Sequence, residues 1–184
     1  MAVLRLDFSG CGLSDGDFKF TTIENQANDF SGEKVALNIF IDEILEKYRD
    51  AIHQKSLKID FRKDLNSASQ FPKYHTGLIL ENILNNAIKY SRENTTISIE
   101  LSHKNELIQC IIEDEGIGIK KEDIPLIFTP FYRSDAMQHK DIQGNGVGLP
   151  IALKAAQAIG AEIEVESELG KGTTFRFTIP MYSL

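Results

Sequence analysis

The chain has 184 residues, of which 42% are hydrophobic and 26% are charged. This length and composition are typical of one globular domain with a core, and they exclude a disordered or fibrous chain. The 20 Lys and Arg residues against 27 Asp and Glu give a net charge of -7, which disfavours nucleic acid as a partner. No apolar run approaches the roughly 20 residues of a membrane span, and no signal-peptide pattern is present. We therefore expect a cytoplasmic protein, or the cytoplasmic part of a membrane-bound sensor.

The first 32 residues are the least regular part of the chain. Glycines at positions 10, 12, 16 and 32 interrupt any hydrophobic period. We interpret residues 1–32 as a linker or the remnant of a preceding segment, and residues 33–184 as the folded domain.

The hydrophobic pattern of the remaining chain predicts both helices and strands. Apolar residues recur at three- and four-residue intervals in the predicted helices and alternate in most of the predicted strands. The helices are expected at 36–53, 73–90 and 149–159, the last closed by Gly160. The strands are expected at 57–61, 95–101, 107–113, 163–165 and 174–179. The sum predicts an α+β fold, a two-layer sandwich in which a mixed sheet of about five strands carries about three helices on one face.

The second helix carries a polar face. Asn82, Asn86 and Lys89 are spaced i, i+4 and i+7, which places them within roughly 60° of one another on the helix surface. Amide oxygens suit Mg²⁺, and an ammonium group suits a phosphate oxygen. The alternative is a solvated polar face of the kind found on any helix.

Three glycine-containing segments follow this helix. Asp114 to Ile119 comes directly after an apolar strand, so its carboxylate can accept a hydrogen bond from an exocyclic amine while glycines admit a flat ring. Gly144 to Pro150 precedes a helix, where exposed N–H groups favour a phosphate. Gly170 to Phe175 runs into the last strand. Turn geometry alone is an alternative explanation for the glycines of each segment. Residues 114–145 are rich in loop, and a loop of this length usually indicates a function.

Taken together and in this order, the segments resemble the sequence boxes of the sensor histidine kinase catalytic domain. The helix 82–90 corresponds to the N box, 114–118 to the first glycine box, 128–133 to the F box, 144–148 to the second glycine box and 170–175 to the third. The resemblance covers about residues 35–180 and implies the Bergerat ATP-binding fold shared with gyrase, MutL and heat-shock chaperone ATPases.

The resemblance also implies roles for individual residues. Asn86 would hold Mg²⁺, Asn82 and Lys89 would contact phosphates, and Asp114 would bind the adenine amino group. Residues 134–145 would form a mobile lid braced by Phe128 and Phe131, with Lys140 as a further phosphate contact. The full set of expected nucleotide-binding residues is Asn82, Asn86, Lys89, Tyr90, Asp114, Gly116, Gly118, Ile119, Phe131, Arg133, Gly144, Gly146, Val147, Gly148, Leu149 and Thr173.

The phosphate-accepting histidine of such kinases is missing from this sequence. None of His53, His75, His103 and His139 is followed by the acidic residue usual after that histidine. The resemblance therefore implies transfer of the ATP γ-phosphoryl group to a histidine on a separate dimerisation domain, and then to a response regulator. It also suggests that residues around Leu6 are the end of the preceding dimerisation helix, and that this piece is monomeric. An anti-sigma-factor-like serine kinase and a non-enzymatic nucleotide-sensing module are the alternatives.

Overall fold

The computed structural model describes residues 2–6, 36–63, 71–104, 107–134 and 144–180. The strands in these ranges are β1 Ala2–Leu6, β2 Lys58–Lys63, β3 Thr96–Lys104, β4 Leu107–Asp114, β5 Glu162–Glu168 and β6 Gly172–Pro180. The α-helices are α1 Leu37–Lys47, α2 Arg49–Gln54, α3 Lys73–Tyr90 and α4 Gly148–Ile159, and a short 3-10 helix spans Ile124–Leu126.

The strands form one mixed sheet in the order β1-β5-β6-β4-β3-β2. Only the β2–β3 pair is parallel within this sheet, and the other neighbours are antiparallel. The α+β fold class is confirmed, with six strands where the pattern predicted about five.

The additional strand is β1, at one edge of the sheet. It pairs antiparallel with β5, and Leu4 lies opposite Val165. Leu4 packs against the core, while Arg5 forms ion pairs with Glu162 and Glu164, each at 3.1 Å. The interpretation of residues around Leu6 as the end of a helix is therefore wrong for Leu6 itself, which lies in β1, and residues 7–32 lie outside the described ranges.

The core lies between one face of the sheet and the helices α1, α3 and α4. Alternate residues of each central strand point into it because successive side chains leave opposite faces of a strand. On β4 these include Ile108, Cys110 and Ile112, which are almost fully buried. Burial raises the pKa of the Cys110 thiol, which packs as a small apolar side chain of the core.

The predicted helices at 73–90 and 149–159 are confirmed, but the predicted helix at 36–53 is split. Tyr48 separates α1 from α2 with a φ of -100° and a ψ of 7°. No glycine or proline marks this break, so the hydrophobic period runs through it. Gly160 ends α4 in the left-handed conformation, with a φ of 66°, as predicted.

Candidate functional site

A cleft of about 400 Å³ lies where α3, the end of β4, the segment before α4 and the start of β6 meet. It brings together most of the residues that the sequence singles out. Those that line it are Asn82, Asn86, Lys89, Tyr90, Asp114, Gly118, Ile119, Arg133, Gly144, Gly146, Val147, Gly148, Leu149 and Thr173.

Gly116 and Phe131 are the expected site residues that do not line the cleft. A side chain at Gly116 would collide with the carbonyl oxygen of Tyr90, so this glycine permits a close approach of two backbone segments. The Phe131 side chain is 68% exposed, and its backbone has a φ of 65°. Phe131 is among the expected site residues because of its place in the segment that resembles the F box, and the sequence does not indicate its left-handed conformation.

Several lining residues were not expected from the sequence. They are Asn85, Ile117, Ile127, Tyr132, Asn145, Pro150 and Phe175. Helical spacing could have found Asn85, which lies three residues after Asn82 and four before Lys89. Strand alternation could have found Phe175, which shares a face with Thr173. No such pattern in the sequence predicts a position in the cleft for Ile127.

The amide face of α3 turns towards the glycine segment before α4. Asn82 donates its Nδ2 hydrogen to the Leu78 carbonyl, at 2.7 Å. Its Oδ1 therefore points away from that carbonyl, and a side chain at Gly148 would stand 2.8 Å from it. The glycine thus keeps open a space that the amide oxygen faces.

The C-terminal end of α3 is capped by a lysine from the turn after α2. Lys55 donates from Nζ to the carbonyl oxygens of Ile88 at 2.9 Å, Lys89 at 2.6 Å and Ser91 at 3.0 Å. Burial lowers the pKa of Lys55. A cation at this end also complements the helix dipole, so Lys55 fixes the turn that carries Lys89 and Tyr90 into the cleft.

Asp114 is a buried acceptor at the end of β4, with only 6% of its surface exposed. Its carboxylate accepts hydrogen bonds from the N–H of Gly116, at 2.9 Å, and from the N–H of Thr173. Burial raises the pKa of Asp114 to about 6, although these two N–H groups lower it. Among the described residues no cation pairs with this carboxylate, so its remaining lone pairs are available to a ligand.

Backbone segments approach closely beside Asp114, where side chains would not fit. A side chain at Gly118, whose φ is 68°, would collide with the Glu168 carbonyl. The N–H of Gly170 donates to the Ile117 carbonyl at 2.7 Å, joining the same two loops. The first and third glycine segments are therefore packed directly on each other.

Lys89 and Arg133 form the cationic part of the cleft. Burial lowers the pKa of Lys89, and the charge of Arg133 lowers it further. A side chain at Gly144 would collide with Lys89 Nζ. The two neighbouring cations are suited to a polyanionic group, because its negative charge attracts both of them.

The segment after the 3-10 helix reaches the second glycine segment through its backbone. Phe131 donates its N–H to the Gly146 carbonyl at 2.9 Å, and Tyr132 donates its hydroxyl to Asp123 Oδ1 at 2.7 Å. Phe128 is buried. The expected lid at 134–145, with Lys140, lies mostly in 135–143, outside the described residues.

The protein sequence profile of the histidine kinase-, DNA gyrase B- and HSP90-like ATPases matches residues 74–183. The chain belongs to this ATPase family. The match begins at α3 and includes every segment that lines the cleft.

The relatives of this chain include two sensor kinases. The sensor histidine kinase WalK of Bacillus subtilis strain 168 is 35% identical over 156 residues, which are 82% of this chain and 25% of WalK. The signal transduction histidine-protein kinase ArlS of Staphylococcus aureus strain USA300 is 38% identical over 160 residues, 83% of this chain and 34% of ArlS. The chain thus spans about a quarter to a third of these relatives.

Solved structures of histidine kinases share the fold. The nucleotide-free catalytic domain of the histidine kinase ThkA is 26% identical with a TM-score of 0.67, covering 79% of this chain and 93% of that domain. Full-length ShkA in complex with AMPPNP is 23% identical with a TM-score of 0.70, covering 83% of this chain and 31% of ShkA. At 23% identity, the similarity to ShkA shows a shared fold alone.

Among the described residues, no helix is both long and apolar enough to cross a bilayer. Nor do the described ranges bring three His, Cys, Asp or Glu side chains together as a metal site. The cleft contains four side-chain amides, and neutral amide oxygens suit a cation that is bound together with phosphate groups.

Proposed function

We propose that this chain is the ATP-binding catalytic domain of a sensor histidine kinase. It would transfer the γ-phosphoryl group of ATP to a histidine on a separate dimerisation domain, from which a response regulator receives it. The observation that carries the proposal is one cleft holding an unpaired buried carboxylate, Asp114, and two adjacent cations, Lys89 and Arg133. Such a cleft complements a ligand with an amino group and a polyphosphate. Use of ATP places this domain in the cytoplasm.

In this proposal each part of the cleft binds one part of the nucleotide. Asp114 accepts a hydrogen bond from the adenine amino group, and the backbone at Gly118 permits close contact with the ring. Lys89 and Arg133 bind phosphate oxygens together with the N–H groups of the glycine segment before α4. Tyr90 and the apolar side chains of Ile119, Val147 and Leu149 line the pocket around the nucleotide.

Asn86 is the proposed ligand of Mg²⁺. Its amide lies on the cleft face of α3, and one neutral oxygen is sufficient for an ion that keeps several waters and bridges phosphates. Bound Mg²⁺ would neutralise charge on the transferring group. The chain's own residues orient the phosphates and exclude water around them.

The geometry favours transfer over hydrolysis. In the gyrase-like ATPases a glutamate one helical turn before the metal-binding asparagine activates water, and here that position is Asn82. An amide cannot act as a general base. Glu81 forms an ion pair with Lys47 at 2.5 Å and does not line the cleft. No described carboxylate therefore takes the place of that glutamate.

In the transfer step the bond between the γ-phosphorus and the bridging oxygen breaks, and a bond from phosphorus to an imidazole nitrogen forms. ADP leaves. Among the described histidines, His53, His75 and His103 do not line the cleft. No histidine of the sequence is followed by an acidic residue, which supports an acceptor on another domain. Positioning and charge neutralisation supply most of the catalysis in such a transfer.

The test incubates the chain with γ-labelled ATP, Mg²⁺ and a purified dimerisation domain that contains a phosphoacceptor histidine. We expect label on the dimerisation domain that is stable to base and labile to acid, and none on this chain. The same domain with its histidine replaced by glutamine is the control. Acid-stable label on a partner serine would support the serine kinase instead. Tight ATP binding without transfer to any acceptor would support a nucleotide-sensing module.

A further inference from the structure

The polar residue Ser167 lies beside the cleft without lining it, and its hydrogen bonds determine what the cleft presents to a base. Three buried polar residues stand in a row across neighbouring strands. Ser167 of β5 pairs with Thr173 of β6, which in turn pairs with Asp114 of β4. All three point to the inner face of the sheet, and each is less than 9% exposed.

The Ser167 hydroxyl has three partners. It accepts a hydrogen bond from the N–H of Ile119 at 2.9 Å, donates to the Gly172 carbonyl at 2.8 Å and lies 3.0 Å from Thr173 Oγ1. A hydroxyl has one proton and two lone pairs. The carbonyl takes the proton because it cannot donate, and the N–H takes one lone pair. The remaining lone pair of Ser167 must accept a hydrogen bond from Thr173.

This assignment fixes the direction of the Thr173 hydroxyl proton. The proton points to Ser167, away from the cleft that Thr173 lines. Both lone pairs of Thr173 Oγ1 are left for other partners. Thr173 and the ionised Asp114 then present two adjacent acceptors, which suit an amino group with two N–H donors and oppose a carbonyl oxygen.

We propose that Ser167 is a positioning residue for base specificity, which holds the Thr173 hydroxyl as an acceptor and so selects a 6-aminopurine. The same hydroxyl holds Ile119 and thereby the first glycine segment in place. This inference rests on the proposed binding of ATP in the cleft. Ser167 would determine base specificity without touching the nucleotide.

The test compares the affinity for ATP with that for purine riboside triphosphate, which has hydrogen in place of the 6-amino group. The ratio of the two dissociation constants measures the preference for the amino group. We expect Ser167→Ala to reduce this preference by roughly three- to tenfold, the range of a single neutral hydrogen bond. A purely structural role would weaken both nucleotides equally and leave the ratio unchanged, and that result would overturn the inference.

Matched variants separate this effect from general damage. Thr173→Val should reduce the preference as Ser167→Ala does. Thr173→Ser keeps the hydroxyl and should therefore keep the preference. The double variant with Ser167→Ala and Thr173→Val should lose little more of the preference than either single variant, because both substitutions remove the same hydrogen bond. Ser102→Ala and Thr174→Val, on strands β3 and β6, should leave the preference unchanged.

The outcomes also distinguish this inference from the proposed function. A wild-type chain that binds neither nucleotide contradicts the proposed function. A wild-type chain that binds both equally contradicts the role of Ser167 and the hydrogen bond from the amino group to Asp114, but it leaves nucleotide binding in the cleft intact. If Ser167→Ala does not fold, an unchanged preference in a folded Thr173→Val variant overturns the inference by itself.

Discussion

At the scale of single residues, the ionised Asp114 opposes folding, although we propose that it binds the nucleotide base. Its carboxylate is buried without a cation, and its pKa in the folded chain is about 6 against an ordinary value of 3.8. The folded state therefore binds this proton more tightly than the unfolded state does. The loss of folding stability from burying the ionised carboxylate is absent below about pH 4, grows as the pH rises and is complete above about pH 6.

We predict that Asp114→Asn makes the nucleotide-free chain more stable at pH 7.5. The difference between pKa values of 3.8 and about 6 corresponds to a gain of up to about 3 kcal/mol. The gain should shrink towards pH 4.5, and urea unfolding at the two pH values measures it. Glu100→Gln, on the exposed face of β3, is the control. An equal gain at both pH values would contradict the ionised carboxylate as its cause.

Gly118 and Gly160 form a natural pair for testing the close approach beside Asp114. Both have a left-handed backbone, with φ values of 68° and 66°, but only Gly118 faces a carbonyl, that of Glu168. Gly160→Ala should cost roughly 1 to 2 kcal/mol, the penalty of the left-handed conformation.

Gly118→Ala should cost clearly more than Gly160→Ala, because its new methyl group must displace the loop of Glu168. It should also weaken ATP binding, whereas Gly160→Ala should not. Urea unfolding and ATP titration of the two variants measure these differences. Equal costs would show that the two loops separate without difficulty.

At the scale of elements, α3 is the part that the sequence predicts best. Its 18 residues, Lys73–Tyr90, match the predicted bounds, and helical spacing predicts that Asn82, Asn86 and Lys89 share a face. The face and the cleft are observed, while the role of each residue stays a prediction.

Other parts were missed because their structure depends on distant contacts. Strand β1 has five residues and pairs with β5, more than 150 positions away, so no local pattern marks it. The role of Ser167 depends on the register between β5 and β6. Local sequence patterns contain no information about the register between two strands.

Lys55 is the element-scale contact whose loss we expect to change binding. Lys55→Met removes three hydrogen bonds, to the carbonyls of Ile88 and Lys89 in α3 and of Ser91 just after it, and leaves those carbonyls partly unsatisfied. We predict a loss of about 2 kcal/mol in the free energy of unfolding. The affinity for ATP should fall as well, because the loosened turn carries Lys89 and Tyr90.

Urea unfolding and ATP titration test this prediction. Lys58→Met, three residues away on an exposed position of β2, is the matched control and should change neither quantity. A Lys55→Met variant with unchanged stability would mean that water replaces the ammonium group at no cost.

At the scale of the whole molecule, the sheet and its helices form a frame around one cleft. Four chain segments that are far apart in sequence meet there, and backbone contacts such as those of Gly118 and Phe131 join them. A ligand that contacts all of these segments should stabilise the entire fold, because unfolding destroys the site.

A thermal-shift titration with ATP in the presence and absence of Mg²⁺ measures whether this cleft binds Mg-ATP. Nucleotide at a hundredfold excess over its dissociation constant should stabilise the wild type by about 2.7 kcal/mol. The stabilisation should depend on Mg²⁺ in the wild type and in the control Gln157→Ala, and the dependence should be lost in Asn86→Ala. A wild-type chain whose melting temperature is unchanged by millimolar Mg-ATP would contradict the account.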